Sequence, residues 1–101
     1  MPLKTHPMDL AAAEEIAISA LGFIGTDATL LQRFLALTGI SAADLRRAAA
    51  EPGFLAGVLR FVAAHEPTLL AFAGSADVRP EAIREALRIL PGGDDRHEQS
   101  T

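Results

Sequence analysis

The chain has 101 residues and a net charge of −4, and half of its residues are apolar, which is one domain's worth of sequence able to close a single core. It has no Cys, which excludes disulfides, thiolate zinc sites and thiol nucleophiles, and it has no Trp and no Tyr, so strands start at a disadvantage against the abundant alanine and leucine. Arginine supplies eight of the nine basic groups, but they are scattered, unlike the clustered basic face through which a protein neutralises phosphates.

Hydrophobic spacing predicts six helices. The first spans 9–24. Asp9 is placed to cap it, and Glu14 and Glu15 sit near its positive end. Ala13, Ile16, Ala17, Ala20, Leu21 and Ile24 recur at intervals of three and four and form one apolar stripe. Gly22 interrupts this helix at a cost of about 1 kcal/mol relative to alanine. Its missing side chain is read as room for another helix.

Thr26 or Asp27 caps a second helix over 28–37, with Leu30, Leu31, Phe34, Leu35 and Leu37 inward and Gln32 and Arg33 toward water. Gly39 is the expected left-handed stop. Ser41 caps a third helix over 42–50, with Asp44 at the capping-box position and Leu45, Ala48 and Ala49 as its buried residues.

A fourth helix is expected to start near Pro52, since proline is at ease in a first turn, and to run to His65. Phe54, Leu55, Val58, Leu59, Phe61 and Val62 make it the most apolar of the six, and therefore central. A short fifth helix is expected over 67–73, carrying Leu69, Leu70 and Phe72 and stopped by Gly74. A sixth runs from Pro80 to Leu90. Its inner stripe is Ile83, Leu87 and Leu90, and Glu81 with Arg84 and Glu85 with Arg88 pair on its outer face.

The predicted fold is thus all-α, a compact bundle of about six short helices over 9–91. Residues 1–8 are expected to form a flexible N-terminus and 92–101 a disordered polar tail. A faint repeat appears at an offset of 38. Leu31, Phe34, Ile40, Leu45, Arg46 and Ala48 align with Leu69, Phe72, Val78, Ile83, Arg84 and Ala86. It suggests two helix-turn-helix pairs packed on helices one and four.

Charges interrupt the N-terminal region before a leader-like apolar run can form, and the longest apolar stretch, from Ile16 to the Gly25-Thr26-Asp27 break, is far short of the roughly 20 residues of a spanning helix. The expectation is a soluble cytoplasmic protein without a membrane role.

Few residues point to chemistry. His65 is expected at the C-terminal end of helix four, bonding free carbonyls there. The alternative is a small-ligand or metal-binding enzyme centred on it. Glu66, its neighbour, points about 100° away on a helix and shares no target with it. No second histidine stands at ligand spacing, because His6 and His97 lie near the two ends. Ser41 has no paired base. Arg46 and Arg47 are candidates for an acidic partner, or for weak DNA binding through helix three, but Asp44 and Glu51 flank them and oppose a cationic surround. Gly53 and Gly57 are four apart and are read as a site of close helix packing.

The segments Ala13-Glu14-Glu15-Ile16-Ala17, Ala20-Leu21-Gly22-Phe23, Arg33-Phe34-Leu35-Ala36-Leu37-Thr38-Gly39, Ala50-Glu51-Pro52-Gly53-Phe54-Leu55 and His65-Glu66-Pro67 stand in an order and spacing that resemble a family of short bacterial proteins, domain-of-unknown-function family 3572. The resemblance runs from about Asp9 to Leu90. It implies a bacterial helical protein and carries over no catalytic residue and no cofactor. The expected function is therefore a non-catalytic protein–protein interaction or regulatory module. Arg46, Arg47, His65 and Glu66 are the candidate partner contacts. The partner would be another protein or a second copy, held in an apolar groove with an acidic rim.

Overall fold

In the computed structural model, which describes residues 8–92, the chain winds through six α-helices. They are α1 (Leu10–Gly25), α2 (Ala28–Thr38), α3 (Leu45–Ala48, reached through a 3-10 turn at Ala42–Asp44), α4 (Phe54–Ala63), α5 (Glu66–Ala76) and α6 (Pro80–Ile89). No strand occurs among the described residues, so the fold is an all-α bundle. Apart from Met8 and Gly92, the two segments expected to be flexible lie outside the described residues, as do His6 and His97.

Local chemistry sets most boundaries. The Asp9 carboxylate accepts from Ala12 N at 2.9 Å, and Asp27 accepts from Thr29 N and Leu30 N at 3.0 and 3.1 Å. These are the bonds that relieve unpaired N–H groups at a helix start. Ser41 Oγ accepts from Asp44 N at 3.2 Å. Gly39 closes α2 at φ 77°, a conformation glycine adopts without a Cβ penalty.

Three expectations are corrected. Helix three is only one α-turn long. Its flanks wind more tightly, with Asp44 N bonded to Ser41 O, Ala50 N to Arg47 O and Glu51 N to Ala48 O, each reaching back three residues. Helix four begins at Phe54 rather than near Pro52, because Gly53 stands ahead of it at φ 91° and leaves Pro52 in the preceding turn. Helix five passes through Gly74 and stops at Asp77, the single non-glycine residue with positive φ (59°) among those described. Val78 N then bonds Ala73 O at 3.0 Å, the six-to-one closure of a left-handed cap. Aspartate tolerates that backbone better than most residues.

The core draws on every long helix. Ala13, Ala17, Ala20 and Ile24 of α1, Phe34 of α2, Val58, Leu59 and Val62 of α4, Leu69 and Phe72 of α5, and Ile83 and Ala86 of α6 are all buried. Five of the ten α4 residues are buried, in keeping with its expected central place. Small alanines along α1 let its neighbours α4 and α6 lie close, since helix separation follows the side chains at the contact. Leu37 was expected inward but is 70% exposed, and Leu70 is 51% exposed. Arg84 reaches across to Glu66 of α5 at 3.9 Å, a contact between helices.

The repeat is deeper than two helix pairs. A shift of 38 carries α2 (28–38) onto α5 (66–76), the Asp27 cap position onto His65, Gly39 onto Asp77, and the last residue of α1, Gly25, onto that of α4, Ala63. Contacts between the halves repeat as well. The Phe23 and Phe72 rings lie 5.5 Å apart, and Phe61 and Phe34, their counterparts with the halves exchanged, lie 5.4 Å apart. Such reciprocity marks an approximate two-fold relation, as in an isologous dimer. The halves differ in their third helix. Ile83 and Ala86 of α6 are buried, whereas the equivalent Leu45 and Ala48 of α3 are half-buried, because the turn at 51–53 cuts α3 short to start α4.

Gly22 does not serve a close helix contact. It is exposed, and a Cβ built on it meets nothing within 4 Å. Gly57 likewise has nothing within 4 Å, and Gly53 owes its identity to its backbone, so the close-packing reading of this pair also falls. Gly22→Ala is therefore expected to stabilise the protein by about 0.5–1 kcal/mol, through helix propensity and a less disordered unfolded chain. Urea unfolding followed by far-UV circular dichroism reads this directly. A destabilised variant would show that the surface around Gly22 is closed.

Candidate functional site

The C-terminal half of α2 and the outer face of α4 diverge enough to leave a groove of about 480 Å3. Leu37 and Thr38 form one wall, Gly57 and Phe61 the floor, and Arg33, Arg60 and His65 the polar margin. Phe61 is held from beneath by Phe34 in an edge-on contact with an interplanar angle of 79°. The missing side chain of Gly57 keeps the floor open. Thr38 Oγ1 donates back to Phe34 O at 2.8 Å, which turns its hydroxyl into its own helix and leaves the wall apolar.

The margin is cationic, where an acidic one was expected. The Arg33 guanidinium lies 6.0 Å from the centre of the Phe61 ring, within cation–π range. Arg60 donates to the carbonyl of Gly92, a residue that does not line the groove, at 2.5 Å. His65 is not a C-terminal residue of α4. It occupies the extended cap position of α5 (φ −130°, ψ 108°), because Pro67 fits the first turn and lets that helix begin at Glu66. Its Nδ1 is 2.8 Å from the hydroxyl of the buried Thr68, three residues on.

The four contact residues read from the sequence are not brought together. His65 lines the α2–α4 groove. Glu66 reaches Arg84 at 3.9 Å, while His65, standing in the extended cap position outside the helix, bonds Thr68 instead. Arg47 is bonded to Asp44. Arg46 lines a separate cleft of about 590 Å3 between α1 and α3, with Leu21, Ala42, Ala43, Leu45 and Ala49. Among the described residues, no three His, Cys, Asp or Glu side chains form a group that could hold a metal ion.

The residues missed are Arg33, which the sequence placed toward water, Leu37 and Phe61, which it placed among the apolar residues, and Arg60, to which it gave no role. The repeat held a usable signal. The counterpart groove, between α1 and α5, is about 390 Å3 and keeps the same ring pair as Phe23 and Phe72. Yet at the positions of Arg33, Leu37, Arg60 and His65 the other half carries Ala71, Ser75, Gly22 and Asp27. Packing residues match between the halves, and the groove-lining residues do not.

No single helix among the described residues is long and apolar enough to cross a membrane. Only α4 and α5 together, bent by 110°, pass that test of length and composition, and both supply buried core. Fold and groove together define an internally repeated, six-helix all-α domain with a largely apolar groove between α2 and α4. The family model described as Protein of unknown function (DUF3572) matches residues 10–93, and the chain belongs to that family. No curated protein and no solved structure matches it.

Proposed function

We propose that this chain is a non-catalytic protein-interaction module of the bacterial cytoplasm, and that its contact site is the groove between α2 and α4. The observation that carries this reading is Leu37, a large apolar side chain 70% exposed on the wall of a groove floored by Phe61. A leucine in water beside an aromatic floor is apolar surface that association would remove from solvent, at about 25 cal/mol per Å2. Arg next to an aromatic is also the composition of interface centres that dominate binding energy. The two other readings have less behind them. For an enzyme, His65 is tied to Thr68 and its neighbouring carboxylate reaches Arg84. For DNA, α3 is one turn long and Arg47 is engaged by Asp44.

A photo-crosslinking amino acid at position 37, introduced in the native cell, tests the site. A discrete adduct at position 37, to another protein or to a second copy, and none with the same group at the exposed Glu81, is the expected result. Equal labelling at both positions, or none at position 37, would remove the groove as the contact site.

A further inference from the structure

The two halves of the molecule do not finish alike, and the difference leaves a helix face uncovered. In the second half α6 packs on both α1 and α4. Its counterpart in the first half, α3, is one turn long and makes no packing of that extent on either helix. What remains between α1 and α3 is a cleft of about 590 Å3, lined by Leu21, Ala42, Ala43, Leu45, Arg46 and Ala49. We infer that this cleft is a second docking site, and that it seats one amphipathic helix of a partner protein, with apolar side chains against Ile18, Leu21 and Leu45 and a carboxylate beside Arg46. The α2–α4 groove plays no part in this inference, which stands whether or not that groove is occupied.

The first support is apolar surface that the same scaffold covers elsewhere. Ile18, one turn before Leu21 on the same side of α1, is 58% exposed, and Leu21 and Leu45 are half-buried. Their counterparts at the offset of 38, Ala56, Leu59 and Ile83, are all buried. Ala56 shares a small pocket with Leu90, the residue that closes α6. The open positions of the first half are thus the ones that the second half takes out of water with a full-length helix.

The second support is Arg46, which has no hydrogen bond or ion pair among the described residues. Its counterpart Arg84 meets Glu66 at 3.9 Å. Glu66 corresponds to Ala28, so the half without the full-length helix also lacks the acid. An incoming helix with an acidic flank supplies both.

The molecule itself shows what fits such a place. α6 is an amphipathic helix whose Ile83 and Ala86 are buried, with Leu90 buried at its end. The α6 of a second copy is committed to its own core, and residues 93–101 carry no apolar side chain. A helix of this pattern therefore comes from another protein, laid into the cleft by its apolar face.

The probe is a synthetic peptide with the sequence of residues 79–91, braced on its polar face because so short a helix is marginal alone. A second peptide carries I83S, L87S and L90S. Binding is read by fluorescence anisotropy and by amide shifts in nitrogen–proton correlation spectra of the whole chain. The first peptide is expected to shift amides around Ile18, Leu21, Leu45 and Ala49 and to spare those around Leu37 and Phe61. Its affinity is expected to fall about tenfold or more, the equivalent of about 1.4 kcal/mol, in I18S. It is expected to fall further in R46E than in R47E, since Arg47 is bonded to Asp44 and does not line the cleft. All three positions are exposed, so these variants are expected to keep their helical circular dichroism.

The inference is overturned if the first peptide does not bind, if the serine peptide binds equally, or if R46E and R47E act alike. Shifts centred on Leu37 and Phe61, or on the seat of the chain's own α6 around Val58 and Ile83, would overturn it too. Self-association by sedimentation that I18S abolishes would assign the cleft to a second copy instead. Cleft amides that move without peptide in L3S would assign it to the chain's own residues 1–7.

Discussion

Phe34→Ala is expected to lower folding stability by about 3–5 kcal/mol, enough to unfold much of a domain whose total is on the order of 5–15 kcal/mol. Phe34 is 1% exposed and is the one fully buried side chain of α2. Its ring meets Phe54 at 6.1 Å and 90° and Phe61 at 5.4 Å and 79°, both edge-on contacts that add about 0.5–1.5 kcal/mol each beyond burial. Truncation removes these contacts and leaves a cavity between α2 and the Phe54 and Phe61 rings of α4 that relaxation fills only in part. It also releases the Phe61 ring that lines the groove, so crosslinking from position 37, the test of the proposed contact site, is expected to fail with stability. Phe72→Ala, the counterpart in the other half, is expected to cost somewhat less, since Phe72 has one ring partner, Phe23. Urea unfolding orders the two variants. A loss below about 1.5 kcal/mol for Phe34→Ala would mean that the seam between α2 and α4 is loosely packed.

Ala17→Leu tests the opposite property of the core, its lack of spare volume. Ala17 is fully buried on α1, the helix that packs against both α4 and α6. Three added carbons have to displace one neighbour or the other, which in a close-packed interior costs about 1–3 kcal/mol or more. The adjacent Ile18 is 58% exposed and supplies the control. Ile18→Leu changes shape at the next position of the same helix and is expected to stay within about 0.5 kcal/mol. If both variants behaved alike in urea, the alanine stripe would not be where the helices meet.

Most of the fold was legible in the residues, and the reasons are local. Asp9, Asp27 and Ser41 announce helix starts because their side-chain oxygens reach N–H groups within three residues. Gly39 announces a stop for an equally local reason. The misread boundaries are those where two local signals competed. Gly74 has the composition of a stop, but the left-handed turn fell three residues later, at Asp77. Pro52 has the composition of a first turn, but Gly53 at positive φ stood between it and the helix.

The site was far less legible. Leu37 falls on the same apolar arc as Phe34, and nothing in their spacing says that one is 1% exposed and the other 70%. Spacing shows which residues share a face, not how much of that face a neighbouring helix covers. Arg46 and Arg47 stood out because they are adjacent, whereas Arg33 and Arg60 lie 27 positions apart and meet at one groove only through the packing of α2 on α4.

Six helices and the caps at Asp9, Asp27, Ser41 and Gly39 were thus settled by the chain's own order of residues, because capping, backbone preference and helical periodicity act over a few positions. Which leucine stays wet and which residues of α2 and α4 come to line one groove were decided only by the assembled bundle. Exposure and charge clustering depend on what other helices cover, and that is set by how far apart the side chains at each crossing hold them.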